Sequence, residues 1–362
     1  HYDAIVIDTH NDIMMQVMEK GIDITKENSS TQSDLIRMVK GGLDVQVFSI
    51  YVPAKYKKNH FSYVNNEIDK LEEIASNHPD KLSIAYDYSK LIVYLSEGKT
   101  CGLLGGEGGT MIEGSLEKLE HLYKRGLRYL TLTWNNSNQI ATSSRDEAER
   151  NVKGGLTEFG KTVIEKMDEL GMFIDVSHLG ETAFWDVINL SKNPVIASHS
   201  CVYNLNPHYR NLKDEQIKAI AKSGGVIFIN FYSKFLDPGA VQGQSYYQKY
   251  RPELNELANK YGNDLITYNK ERIKFIENHP LYYGTSIDKL IEHIDYVTRL
   301  VGVNYVGLGS DFDGEVFTPN ELYDATCYPL ITKKLVDRGY KEEEIRKILG
   351  LNFLRIFKQI SK

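Results

Sequence analysis

Three histidines and several carboxylates stand where short apolar runs end. "AIVIDTHNDI" carries His10 and Asp12, "CGLLGGEGG" carries Glu107, "MFIDVSH" ends in His178, "PVIASHS" holds His199, and "YVGLGSDFDG" carries Asp311 and Asp313. A polar group at the end of a buried strand has left water and needs a partner. Imidazole nitrogen together with carboxylate oxygen suits zinc or another borderline metal. About six such ligands exceed what one tetrahedral zinc uses, whereas two metals sharing a bridging carboxylate would use them all. His10 and Asp12 are two residues apart, hence on one side of an extended segment.

Each residue also has a plainer reading. A lone histidine at a strand end is commonly hydrogen-bonded structure, because neutral imidazole is easily satisfied. Convergence of several such ends shifts the balance, and His10, His178 and His199 are read as ligands. Glu107 sits in "GGEGG", whose glycines let the backbone approach closely or take special torsions; its alternative is a carboxylate accepting backbone N–H groups. Asp313 in "DFDG" reads as a turn or cap. His60, His78, His121 and His279 have no converging partner, and His293 on a predicted helix reads as structural. His208 in "NPHYRN" could approach a substrate but reads as surface loop.

The elements that must bring these residues together are eight apolar runs: the five just quoted with "VQVFSIYV", "LRYLTLTWN" and "GVIFINFY". Most are continuous rather than alternating, which suits parallel strands covered on both faces. The segments between them read mostly as helices. In "LTEFGKTVIEKMDELG", Thr157 can cap the start, Phe159, Val163, Ile164, Met167 and Leu170 form one face, and Gly171 can close the end. "LKDEQIKAIAKSGG" repeats the scheme with Ile217, Ile220 and Ala221 inward. Eight strand–helix units predict a (β/α)8 barrel, a TIM barrel of the metal-dependent hydrolase type, with an open doubly wound sheet as the alternative. In a barrel the strand ends share one face, so residues hundreds of positions apart meet. We expect one domain over 1–362 with helical insertions near 54–80 and 236–290. The second insertion is Tyr-rich (Tyr246, Tyr247, Tyr250, Tyr261) and reads equally as a lid or subunit contact and as a rim decoration.

Composition sets the outer bounds. Hydrophobic residues make up 41% and charged residues 25% of the 362. Those shares are ordinary for a protein with a large core. A formal charge of −6 and a pI near 6.0 leave no basic footprint for nucleic acid. Cys101, Cys201 and Cys327 match no zinc or redox spacing, although one disulfide pair is conceivable. No apolar run approaches the ~20 residues of a membrane span. The chain opens with His1 rather than Met, which leaves room for a processed leader and an exported location, periplasm or cell envelope, as well as a cytoplasmic one. "GxSxG" and "HExxH" are absent, and "GGEGG" lacks the lysine of a phosphate loop. The glycines of "GLLGGEGG" have only a weak dinucleotide-binding rhythm, with no suitable acid following.

With these residues assembled, the chain resembles the membrane (renal) dipeptidase family of zinc peptidases, the M19 type. The resemblance runs from about Ile5 to Phe357 and is carried by "DTHNDI", "EGG", "LRYLTLTWN", "GLTEFGKTVIEKMDELGMFIDVSH", "PVIASHS", "HYRNL", "GGVIFINFY", "HIDYV…VGLGSDFDG" and "GLNFLRIF". It implies dipeptide hydrolysis at two zinc ions, one on His10 and Asp12, the other on His178 and His199, bridged by Glu107 and a water or hydroxide. It also implies Asp311 as the acid/base carboxylate, Arg210 as holder of the substrate carboxylate, and a homodimer. Tyr232, in "GGVIFINFY", is taken as a further substrate contact. One position departs: mammalian-type members read "LTLTHN" where this chain reads "LTLTWN", so Trp134, a donor-only indole, replaces a histidine that contacts substrate. That departure keeps open another amide, lactone or β-lactam hydrolase on the same metals, and a non-catalytic peptide-binding relative.

Overall fold

The computed structural model describes residues 1–240, 246–261, 264–279 and 285–361. Eight parallel strands close a barrel: β1 (Ile7–Asn11), β2 (Val45–Tyr51), β3 (Cys101–Glu107), β4 (Leu127–Thr131), β5 (Phe173–Asp175), β6 (Val195–Ser200), β7 (Ile227–Asn230) and β8 (Val306–Gly309). Neighbours pair in sequence order, and β8 returns to β1 through Asp8 and Leu308. Closure rules out the open sheet. Every residue of these strands is buried. Helices cover the outside and side chains fill the inside, and this is why the runs read as continuous.

A ninth, two-residue strand, Ser83–Ile84, was not legible as an apolar run. It pairs with Cys101–Gly102, along the stretch of β3 that β4 leaves free by starting its own pairing at Leu104.

One apolar cluster fills the bottom of the barrel. Ile7, Val47, Leu103, Phe173 and Phe228 meet Phe353 and Phe357 of the C-terminal helix Asn352–Ile360. The opposite end is left for polar side chains. Helix Glu158–Leu170 starts with the Thr157 hydroxyl accepting the Gly160 N–H at 2.9 Å and ends at Gly171, whose φ of 73° places it in the left-handed region. Both are the expected devices for starting and stopping a helix. Val163, Ile164 and Met167 are buried on the face the pattern picks out, as are Ile217, Ile220 and Ala221 on helix Asp214–Lys222.

The first insertion is helix His60–Asn77, which buries Val64, Ile68 and Leu71. The second contains helices Tyr246–Tyr261 and Leu265–Asn278; its residues 241–245, 262–263 and 280–284, and the side chains of Tyr246 and Tyr247, lie outside the described residues. Tyr250 is buried against Phe275 and His279, and the fully buried Arg272 donates to Thr326 Oγ1 at 2.9 Å and contacts Cys327 Sγ at 3.1 Å. The described part thus packs on the segment after β8. The disulfide conceived from sequence is not formed: Cys101, Cys201 and Cys327 are all free and buried.

Candidate metal centre

The three strand-end imidazoles are each held through Nδ1 by an oxygen that can only accept there. Tyr129 of β4 donates its hydroxyl hydrogen to the Thr9 carbonyl at 3.1 Å. Its oxygen therefore accepts from His10 Nδ1–H at 2.8 Å. Ser198 donates to Asp175 Oδ2 at 2.6 Å, so its oxygen accepts from His199 Nδ1–H at 2.8 Å. Asn135 Oδ1 accepts from His178 Nδ1–H at 3.1 Å. In all three rings Nε2 is consequently the nitrogen left to take a metal ion or a further proton.

Those nitrogens converge on one carboxylate oxygen. Glu107 Oε1 lies 3.1 Å from His178 Nε2, 3.5 Å from His199 Nε2 and 3.8 Å from His10 Nε2. His178 and His199 bring their Nε2 atoms within 3.0 Å of each other. His10 Nε2 is buried with no hydrogen-bond partner, and so is Asp12 Oδ1. Asp12 Oδ2 stands 3.7 Å from His10 Nε2. Lone pairs packed this closely repel unless positive charge lies among them.

The electrostatics agree. Burial first, then Arg210 and His10, hold His178 well below the usual imidazole range; burial, then His10 and Arg210, do the same to His199. Burial and Asp12 raise Glu107 well above the usual carboxylate range. Burial alone would lower His10, but Asp12, Glu107 and Asp311 together lift it to about 10. The cluster thus takes up cations, either protons on Glu107 and His10 or metal ions displacing them. Two overlapping ligand groups result, His10 with Glu107 and His199, and His10 with Asp12 and Asp311. The donor set fits zinc.

Local irregularity aims these side chains. The pairing register slips in β1 between Asp8 and Asn11, around His10, and in β6 between Ala197 and Ser200, around His199. Such slips re-aim a side chain. His178 lies three residues past β5 at a φ of 67°, and Asp311 two past β8 at a φ of 62°. Both are in the left-handed region, which costs a non-glycine residue energy. Gly105 makes room for Tyr129. A Cβ at this position would run into the Tyr129 ring, so only glycine lets the hydroxyl reach His10.

Asp311 Oδ2 accepts from Asn230 Nδ2 at 2.8 Å, and burial followed by Asp12 raises its pKa to about 7. Arg210 is 4% exposed. Its Nη2 donates to the His199 carbonyl at 3.3 Å, its guanidinium lies over Phe235, and its Nε has no partner. A guanidinium buried with an unpaired donor carries an uncompensated desolvation cost.

A family model described as membrane dipeptidase, peptidase family M19, matches residues 1–362. The chain belongs to the membrane dipeptidase family. Membership carries metallo-dipeptidase activity and a metal requirement, with zinc the expected metal. Among solved structures, dipeptidase AC, a metallo peptidase of family M19, is 23% identical, with 99% of each chain covered and a TM-score of 0.82. A Rhodobacter sphaeroides metallo peptidase liganded with a phosphinate mimic of the dipeptide L-Ala-D-Ala is 23% identical over 99% of each chain, TM-score 0.80. An amidohydrolase from Pseudomonas aeruginosa is 23% identical over 100% of this chain and 98% of its own, TM-score 0.75. At this identity these three speak for the shared barrel.

The remaining residues marked from sequence fall in different places. Trp134 is partly buried, with its ring 5.3 Å from Tyr51 and 6.5 Å from His178. It lines a cavity of about 510 Å³ together with Asp12 and Glu107. Tyr232 meets Phe235 and Phe317 edge to face and donates its backbone N–H to Asn230 Oδ1; it does not line the cavities beside His178 or Glu107. Asp313 ties down a loop rather than capping a helix, accepting from Gln32 N and Ser33 Oγ. His293 is structural, bridging Val202 N–H and the Leu236 carbonyl. His208 departs from its surface-loop reading: it is half-buried between Tyr209 and Phe235, and its Nδ1 accepts the Arg210 N–H, so it shapes the arginine's loop. Among the described residues no helix is long and apolar enough to cross a membrane.

Sequence reading missed Tyr129, Asn135, Asp175, Ser198 and Asn230. Tyr129 and Asp175 did leave a signal, as polar groups inside apolar runs that must each find a partner.

Proposed function

We propose that this chain, as one barrel domain over residues 1–362, is a two-zinc dipeptidase. The observation that carries the proposal is the trio of Nε2 atoms around Glu107, with the unused Arg210 donor beside it. His10 and Asp12 would hold one ion, His178 and His199 the other, and Glu107 would bridge them. When bound, such a pair acidifies a water and polarises the scissile carbonyl. Arg210 binds the free carboxylate of the substrate, which limits the enzyme to short peptides and sets the reacting atoms in place. Asp311, held by Asn230, takes the proton from the attacking water and returns it to the leaving nitrogen. The Rhodobacter relative is liganded with an L-Ala-D-Ala mimic, and C-terminal D-residues belong in the proposed substrate range.

Metal analysis coupled to dipeptide kinetics tests this. Two zinc equivalents, chelation that abolishes cleavage, and loss of one equivalent in His178→Ala are expected. Full activity in thoroughly metal-free protein would refute it. Trp134 favours a second reading, a different amide or lactone hydrolase on the same metals, because the family's substrate-contacting histidine is gone. A lactone hydrolysed orders of magnitude faster than any dipeptide would decide for that reading.

A further inference from the structure

Asp175 closes β5 and is fully buried. Its carboxylate accepts four hydrogen bonds, and their sources are divided by atom. Oδ1 takes two backbone N–H groups, from Ser198 at 2.8 Å and from Ser177 at 3.1 Å. Oδ2 takes two hydroxyls, from Ser198 at 2.6 Å and from Thr131 of β4. One side chain therefore ties β4, β5 and β6 together where β6 slips its register around His199.

Both imidazoles assigned to one ion hang on this carboxylate. Ser177, held through its backbone N–H, accepts the His199 backbone N–H on its hydroxyl oxygen at 3.1 Å, and its C-terminal neighbour is His178 in the left-handed turn. Ser198, held through both its N–H and its hydroxyl, has its oxygen left to accept from His199 Nδ1–H at 2.8 Å. A hydroxyl has one hydrogen, so while Oδ2 takes it the ring must carry its own on Nδ1. An amide in place of the carboxylate would reverse this. The two backbone N–H groups would keep the amide oxygen at Oδ1, which puts the NH2 at Oδ2, donating to Ser198 Oγ. The other acceptor in reach of that serine hydroxyl, Ser177 Oγ, is 3.5 Å away and already takes the His199 N–H. The serine hydrogen then turns to His199 Nδ1, and the ring proton moves to Nε2, the atom that faces Glu107.

Resting on the two-zinc reading, we propose that Asp175 is a positioning residue for one of the two ions. It fixes His199 as the Nδ1–H tautomer through Ser198, and through Ser177 it sets the turn that delivers His178. What the site requires of it is two oxygens that only accept. An amide of the same shape inverts one hydrogen bond and leaves the ring in the wrong tautomer. The other ion, on His10 and Asp12, depends instead on Tyr129, which holds His10.

Asp175→Asn and Ser198→Ala, singly and together, test this. Nitrogen NMR of zinc-free protein labelled at histidine, at about pH 8 where imidazole is neutral, should show His199 protonated on Nδ1 in the parent and on Nε2 in Asp175→Asn, its signals assigned by their loss in His199→Gln. Chelator competition should show the ion on His178 and His199 held about 10- to 100-fold more weakly in Asp175→Asn, the usual loss when a ligand's support is removed, with the other ion little changed. Ser198→Ala should weaken the same ion. In that background Asp175→Asn should cost less than it does in the parent, because the hydroxyl that carries its effect is gone, whereas a merely structural loss would add in full. An Nε2–H tautomer in the parent, an unmoved tautomer or unchanged zinc affinities in Asp175→Asn, or an undiminished loss in the Ser198→Ala background would overturn the proposal. Should Asp175→Asn fail to fold, the parent spectrum and Ser198→Ala decide, and unchanged zinc affinity in Ser198→Ala overturns it. A parent that shows the Nδ1–H tautomer and its switch but binds fewer than two zinc ions would overturn the two-zinc reading and keep the hold of Asp175 on His199.

Discussion

Tyr129→Phe tests the metal centre at the point where fold and chemistry join. The substitution keeps the ring seated over Gly105 and removes one oxygen, which now accepts from His10 Nδ1 at 2.8 Å and donates to the Thr9 carbonyl at 3.1 Å. Both partners are buried. Each buried group left unsatisfied costs about 1–3 kcal/mol, so with two such groups the apo protein should lose roughly 2–6 kcal/mol. His10 also loses what holds its ring and its tautomer. Removing such a support typically weakens a metal site about 10- to 100-fold, about 1.4–2.7 kcal/mol. Competition against a chromophoric chelator resolves the two zinc affinities, and urea unfolding of the apo protein supplies the stability. One zinc should weaken by that factor while the ion on His178 and His199 keeps most of its affinity. A folded variant whose two affinities match the parent would refute the support role, and equal weakening of both would refute the assignment of His10 to one ion.

Three further outcomes follow. Arg210→Lys replaces a planar fork with a point charge and should cut kcat/KM for dipeptides by about 10- to 100-fold, the scale of a charge-assisted hydrogen bond, without changing zinc content; unchanged kinetics would remove Arg210 from the substrate site. Burial holds His293 at about 4, below its ordinary 6.5. The unfolded chain therefore takes up a proton first as pH falls, and stability present above about pH 6.5 is lost towards about pH 4, by up to about 3 kcal/mol. His293→Gln keeps a donor and an acceptor without titrating, so its unfolding free energy should fall less between pH 7 and pH 5 than the parent's. Gly105→Ala drives a methyl into the Tyr129 ring. It should lower stability by about 1–3 kcal/mol, together with the same weakening of one zinc seen in Tyr129→Phe.

The strand ends were legible because burial writes itself locally. A continuous apolar run that stops at His10, Glu107, His178, His199 or Asp311 shows both the strand and the polar group it must deliver, and eight such runs imply the barrel. Thr157 and Gly171 mark a helix for the same reason, since capping acts within a turn. Only the folded chain decided which nitrogen of each ring is left for a metal ion, because the residues that settle it are remote: Tyr129 is 119 positions from His10, and Asn135 is 43 from His178. The register slips of β1 and β6, the left-handed turns at His178 and Asp311 and the unused donor of Arg210 are likewise products of packing. Sequence pattern therefore determined which side chains would reach the barrel mouth. Their proton positions, directions and neighbours came from long-range contacts, which no local pattern records.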